Sequence, residues 1–257
     1  MENHIRHRTV LITGASSGFG RQLALDLVDY EVDLILAARS LDRLETLKQE
    51  LRERTRRDVE IHALDVRDRQ AVETVLGEIL SRRPVHILIN NAGLALGLDP
   101  VDRGNPDHWD TMIDTNLKGL LYVSRPVIAR MRKLDSAHVV NIGSMAGRMP
   151  YPGGNAYCAS KAAVHALGEA MNADLLGTNV KVSTIAPGAA DTNFSPTRFE
   201  GDEEKSRAVY EGYQPLRAAD VSRAILCVIN TPPHVNIQYL DIMPTAQRNP
   251  YLLHRDS

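Results

Sequence analysis

The sequence predicts a single α/β domain, residues 1–257, built on one doubly wound parallel sheet of about seven strands with helices on both faces. Three observations carry that expectation: seven short apolar runs recur along the 257 residues, helix-period segments separate them, and neither a Pro/Ser-rich linker nor an internal repeat breaks the alternation. The runs are TVLIT (9–13), VDLILAA (32–38), VEIHALDV (59–66), VHILIN (85–90), HVVNIG (138–143), VKVSTIAP (180–187) and VNIQYLDIM (235–243). Each is too short to cross a membrane and too continuously apolar for a strand with one wet face, which is the pattern of strands covered on both sides.

The elements between the runs follow in order. Helical periodicity is expected over 20–30, 41–54, 68–81, a long stretch from about 107 to 133, 155–176 and 219–230. One segment breaks the rhythm: residues 189–217 (AADTNFSPTRFEGDEEKSRAVYEGYQPLR) are polar and punctuated by Gly and Pro, with room for only a short helix near 202–210. Ligands of open α/β sheets bind beyond the carboxyl ends of the strands, and this excursion leaves from one of them, so it reads as a substrate lid.

Composition narrows the function classes. Thirty Lys+Arg against 32 Asp+Glu leave a net charge of −2, which gives no reason to invoke nucleic acid or an anionic membrane surface. The first residues, MENHIRHRTVLITG, form neither a secretory signal nor a membrane span. Two cysteines, Cys158 and Cys227, offer no disulfide framework, which suits a reducing cytoplasm, and the nine scattered histidines form no metal-ligand pattern. Cys158 reads as a small packing residue rather than a nucleophile.

The first strand runs into Thr13-Gly14-Ala15-Ser16-Ser17-Gly18-Phe19-Gly20, a G-x-x-x-G-x-G turn that opens a helix. Glycines let the backbone approach a pyrophosphate, and the free N–H groups of a helix N-terminus hold it, so the turn is a dinucleotide cradle. The end of the second strand distinguishes the dinucleotide. An acid there would bind the ribose hydroxyl of NAD, whereas this chain places Arg39, suited to the 2′-phosphate of NADP, before Ser40. Asp65 and Val66 close the third run and are expected to flank the adenine; Asn91, Ala92 and Gly93 close the fourth, where small residues let a ribose lie against the backbone.

The chemistry is expected around Tyr157 and Lys161. Four residues apart on a helix, phenol and ammonium share a face, and a fixed cation brings a phenol toward useful acidity. Ser144, thirteen residues upstream of the tyrosine, would hold the oxygen that receives the proton.

These pieces, TGASSGFG, LDV (64–66), NNAG, Asn116 in DTNLKG, Ser144, YCASK, and Pro187-Gly188 followed by Thr192, together resemble the short-chain dehydrogenase/reductase family over nearly the whole chain. The resemblance implies a Rossmann-type fold with Tyr157 as general acid/base. Lys161 would lower its pKa and hold the nicotinamide ribose, while Ser144 positions the substrate oxygen. Asn116 would keep its helix irregular around a relay water, and Thr192 with the backbone of 187–190, including Ala190, would hold the carboxamide. Longer strings, among them WDTMIDTNLKGL, PYPGGN and PPHVNI with a following MPTAQ, are similar to a branch of NADP-dependent 3-hydroxy acid dehydrogenases related to sulfoacetaldehyde reductases.

Such substrates are small anions, hydroxy acids or aldehydes, and an anion needs a clamp. Arg198 in the lid is the candidate, with Tyr151 and Gln247 as accessory donors. Two departures from the branch pattern stand out: Ser40 replaces a second arginine, and the lid opening PGAADTNFSPTRFEGD differs in length and chemistry. Apolar residues on more than one face of the helices carrying Asn116 (Leu117, Leu120, Leu121, Val123) and Tyr157 (Ala162, Val164, Leu167, Met171) fit burial against other subunits, and the resemblance implies a homotetramer with the tail after Pro244 packed across an interface. Alternatives are sulfoacetaldehyde reduction, a broader carbonyl reductase, and, from another class, a dinucleotide-sensing regulator without turnover.

Overall fold

The computed structural model describes residues 2–192 and 194–256. A seven-stranded parallel sheet is formed by β1 (Thr9–Thr13), β2 (Asp33–Ala38), β3 (Val59–Ala63), β4 (Ile87–Asn90), β5 (Ala137–Ile142), β6 (Val180–Pro187) and β9 (Tyr239–Ile242). Their order is β3-β2-β1-β4-β5-β6-β9, so the winding reverses between β1 and β4, where a cleft opens beyond the strand ends. Between the strands lie α1 (Gly18–Asp26), α2 (Leu41–Arg52), α3 (Arg69–Arg82), α4 (Pro106–Ile113), α5 (Leu120–Met131), α6 (Asn155–Asp174) and α9 (Ala218–Ile229).

The continuous apolar runs are explained by two cores. Val10 and Ile12 of β1 pack with α1, α2 and α9 on one face, whereas Leu11 points to the other face among residues of α3, α5 and α6. Strand alternation therefore sends every second side chain into a different core, and both must be apolar. The helices answer with narrow stripes: Leu44, Leu47 and Leu51 of α2, and Val72, Leu76 and Ile79 of α3, are all buried.

Three expectations change in detail. The third run leaves the sheet at Ala63, because Asp68 caps α3 by accepting from Ala71 N at 3.0 Å and the chain must turn first. The long helix expected over 107–133 is broken by a π-helical turn at Asp114–Gly119. Segment 189–217, apart from residue 193, is more structured than its composition suggested: β7 (Ala190–Asp191) pairs with β8 (Leu216–Arg217), and between them stand α7 (Phe194–Arg198) and α8 (Glu203–Ala208). The Tyr210 hydroxyl ties this unit together, donating to Ala190 O at 2.7 Å and lying 2.7 Å from Ser195 Oγ.

The apolar surplus on α5 and α6 is mostly used inside the chain. Leu120, Val123, Val164 and Met171 belong to the core, and of the residues expected to face partners Leu121 and Ala162 are exposed. No helix among the described residues is long and apolar enough to cross a membrane.

Candidate active site

The cleft at the switch point encloses about 750 Å³ and is lined from β1, β2, β4, β5, β6, segment 189–217 and the C-terminal tail. Its floor is stitched by Thr13, whose hydroxyl accepts from Asn91 N at 3.1 Å and Ala92 N at 3.0 Å, while the Asn91 amide donates to Thr13 O at 2.9 Å and Gly14 O at 3.1 Å. Gly14 has φ +63°, and a Cβ there would lie 2.9 Å from Ala92 Cα, so only glycine lets the two loops meet. Ser16, Ser17, Gly18 and Phe19 line the cleft. Gly20 does not; a Cβ on it would come within 2.6 Å of Asn91 Nδ2, which makes it a packing position beneath the loop. Ser17 precedes α1 without a side-chain cap, leaving the first N–H groups of the helix open to an anion.

Arg39 lies exposed at the end of β2, and Arg43, one turn into α2, lines the same wall as Ser40. A second guanidinium is thus supplied from a position that the linear pattern did not single out. Asp65 and Val66 stand opposite. The Asp65 carboxylate is gripped by Arg67 through Nη2 at 2.6 Å and held below its ordinary range, chiefly by that bond and further by Arg39. Thr115 also lines the cleft, and its buried hydroxyl has no partner. Glycine cradle, open helix end, guanidinium pair and orphaned hydroxyl together fit a phosphate-bearing dinucleotide such as NADP. Among the described residues no cluster of His, Cys, Asp or Glu could hold a metal ion.

Asn116, 2% exposed, sits in the π-turn behind the cleft wall. Its amide accepts from Leu94 N at 2.9 Å and donates to Leu94 O at 2.9 Å and to Ser160 Oγ at 3.0 Å. Ser160 in turn donates to Tyr157 O at 2.8 Å, so one buried chain links the π-turn, the loop after β4 and α6. The π-turn is where the helix yields to this contact. A Cβ on Gly93 would lie 3.2 Å from Asn116 Oδ1 and 3.3 Å from Lys161 Nζ, which places both groups around one small space.

Tyr157 and Lys161 both line the cleft and are nearly buried, at 7% and 6% exposure. The lysine ammonium donates to Ile142 O at 2.7 Å, and burial lowers its pKa to about 8. Burial holds the Tyr157 phenol above its ordinary range, with neighbouring Tyr151 adding to the effect; Arg198 and a hydrogen bond to Ser144 oppose it. The arginine of segment 189–217 is thus a cation that favours the phenolate, while the lysine ammonium is held at the end of β5. Ser144 caps a short turn by accepting from Ala146 N at 3.1 Å, and His165 Nε2 lies 3.0 Å from Ser144 O, so a histidine absent from the sequence-based site holds the serine's backbone. Gly147 allows that turn to touch α6, since a Cβ would meet Lys161 C at 2.5 Å. Cys158 is buried and its thiol pKa raised by that burial, so it is inert packing.

Arg198 lies over three rings, with Cζ 5.0 Å from the Tyr157 centroid, 5.0 Å from Phe194 and 5.7 Å from Tyr151. Its Nη2 donates to Tyr151 Oη at 2.6 Å, and its buried Nε has no partner. Pro187, Gly188, Ala190 and Thr192 line the same cleft. Gln247 accepts from Ala189 N at 2.8 Å of its own chain, and the tail folds back over its own cleft: Gln247 bridges Leu253, Arg255 binds the carbonyls of Val209 and Glu211, and Tyr251 donates to Pro150 O. Gln247 thus makes its contact within its own chain.

Residues 8–203 match the short chain dehydrogenase family. The chain is 42% identical to an NADP-dependent 3-hydroxy acid dehydrogenase of Salmonella typhi, the match covering 93% of this chain and 95% of that protein. It is 45% identical to a sulfoacetaldehyde reductase of Chromohalobacter salexigens, over 93% and 94% of the two chains. Among solved structures it resembles the closed form of a serine dehydrogenase complexed with NADP+, with a TM-score of 0.88, 41% identity, and 96% and 100% of the two chains covered. A serine dehydrogenase from Escherichia coli aligns with a TM-score of 0.79 and 38% identity, over 93% and 99% of the chains. With the family match spanning residues 8–203 and relatives more than 40% identical over nearly the whole chain, the protein belongs to the short chain dehydrogenase family.

Proposed function

We propose that this protein is an NADP(H)-dependent oxidoreductase that interconverts a small 3-hydroxy acid and its carbonyl form. The observation that carries the substrate class is Arg198, a cation stacked on the phenol of Tyr157 with a buried, unpartnered Nε and no carboxylate partner among the described residues. A half-buried guanidinium with an open Nε, packed on the ring of the reacting tyrosine, is complementary to a carboxylate one or two carbons from the carbonyl. Tyr151 and Gln247 complete the polar rim.

When bound, NADPH supplies the hydride that reduces the carbonyl carbon. Glycines 14 and 18 with the start of α1 hold its pyrophosphate, Arg39 and Arg43 its 2′-phosphate, and Asp65 and Val66 flank its adenine. Asn91, Ala92 and Gly93 admit the ribose, while Pro187, Gly188, Ala190 and Thr192 face the carboxamide. Ser144 and Tyr157 bind the substrate oxygen, and their hydrogen bonds strengthen as negative charge develops on it. Tyr157 then gives its proton to that oxygen, or removes it in the oxidising direction. Lys161 passes a replacement proton to the phenol from water held in the small space around Gly93, a space that Asn116 shapes. Segment 189–217 closes over the substrate as a lid, and Leu121 and Ala162 offer a surface for assembly as a homotetramer.

The similarity to a sulfoacetaldehyde reductase favours one second reading, because a sulfonate would satisfy the same guanidinium. The test is a kinetic panel of serine, allo-threonine, 3-hydroxypropionate, sulfoacetaldehyde and neutral carbonyls with NADP(H) and NAD(H). Anionic substrates with NADP(H) should have the highest kcat/KM; neutral carbonyls turned over faster than every anion would refute the proposal, as would preference for NAD(H).

A further inference from the structure

We propose that Arg198 makes the acidity of Tyr157 depend on whether the anion site is filled: a free guanidinium over the ring favours the phenolate, and a bound carboxylate or sulfonate cancels that bias. The proposal rests on the reading of Arg198 as the anion-holding group.

The geometry is specific. Arg198 Cζ stands 5.0 Å from the centroid of the Tyr157 ring, and the same guanidinium packs on Phe194, itself 5.4 Å from Tyr157 between centroids. The backbone of Arg198 is fixed by Gly97 N, which donates to its carbonyl at 3.0 Å. The groups facing the phenol are Cys158 and Lys161 on α6, Ser144 from the turn after β5, Tyr151 from the loop before α6, and Arg198 from α7. Of these, Arg198 and Lys161 are the basic side chains. Lys161 is committed to Ile142 O and is the same in every enzyme compared, whereas Arg198 has an open Nε through which an anion can neutralise it. Arg198 is also the largest influence that opposes the upward push of burial on the phenol. A cation packed on a buried phenol favours the phenolate, and an opposite charge within about 4–6 Å of a titrating group moves its pKa by roughly 1–3 units.

The consequence follows the reaction. A carbonyl acid that enters for reduction neutralises Arg198 and leaves Tyr157 protonated, the form able to donate. Neutral substrates leave the guanidinium bare and the phenol more acidic.

The test uses Arg198→Met, which keeps the stem packed on the rings, and Arg198→Lys, which restores charge; NADPH binding followed by fluorescence confirms that both sites are assembled. The kcat/KM for oxidation of a neutral hydroxy ester at saturating NADP+ should rise with pH through the Tyr157 ionisation. Arg198→Met should move that limb upward by roughly 1–3 pH units, and Arg198→Lys should return it. In parallel, the phenolate is titrated by near-ultraviolet absorbance as the difference between each enzyme and its Tyr157→Phe counterpart. Saturating propionate should move the wild-type titration to the Arg198→Met position and leave that of Arg198→Met in place. If Arg198→Met raises KM for 3-hydroxypropionate but both titrations stay put, the anion site stands and the coupling is overturned. If neither KM nor titration moves, the anion reading falls with it.

Discussion

Lys161→Met should remove a specific part of the protein's stability curve, the part between pH 8 and pH 10.5. Burial lowers the Lys161 pKa from 10.5 to about 8 in the folded chain, while the unfolded chain keeps the ordinary value. Across that window the unfolded state binds the proton that the folded state has shed, so the wild-type protein gains stability as pH rises. Below pH 8 both states are protonated and the full cost of the buried charge is present. At about 1.4 kcal/mol per unit, the gain across the window is about 3 kcal/mol. The variant lacks it. Losing the donor to Ile142 O adds a penalty of about 1–3 kcal/mol, but that offset does not vary with pH and drops out of the comparison. Lys181, likewise lowered to about 8 by burial, is present in both proteins and also cancels. The assay is urea unfolding of both proteins at steps from pH 7 to pH 11, read as the difference in free energy at each pH. A difference that stays constant to within about 1 kcal/mol would refute the reasoning, because the ammonium would then not be desolvated in the fold.

Asn116→Ala strips a donor and an acceptor from the buried backbone of Leu94, so unfolding should become easier by about 2–4 kcal/mol and Tm should fall by roughly 5–15 °C; calorimetry showing an unchanged Tm would mean that water replaces the amide without cost. Gly14→Ala forces a side chain into a backbone with φ +63° against Ala92, which should cost ~1–2 kcal/mol of stability before steric displacement is counted, with NADPH affinity falling as the loops part; titration calorimetry checks the second effect, and unaltered binding would contradict the close approach. Arg39→Ala and Arg43→Ala should each raise KM for NADPH about tenfold and leave KM for NADH nearly unchanged, the signature of a lost phosphate contact. Equal effects on the two cofactors would assign these arginines to the surface alone.

Local chemistry made much of this molecule legible. The apolar runs announced a sheet covered on both faces because each strand serves two cores, and the turn at Gly14–Gly20 was legible because a tight approach demands glycine at fixed spacing. Less legible was the division of work within that turn. Gly20 looks like its neighbours in a motif, yet it packs under Asn91 instead of facing the cleft. The missing second arginine after Arg39 proved equally deceptive, since one helical turn brings Arg43 to the same wall.

What the sequence determined by itself was the doubly wound sheet, the position of the cleft and the residue types brought to it. Periodicity, turn chemistry and i, i+4 spacing are local properties that survive in a linear string. Only the tertiary structure decided which charge meets which oxygen. Lys161 and Tyr157 share a helix face, but Ile142 O claims the ammonium, and Arg198, forty-one residues from the tyrosine in sequence, lies on its ring. Segment 189–217 shows no periodicity because its order comes from Tyr210 and the returning tail, contacts between distant residues. Charge pairing in a buried site follows distance and desolvation, and neither is encoded at any fixed separation along the chain.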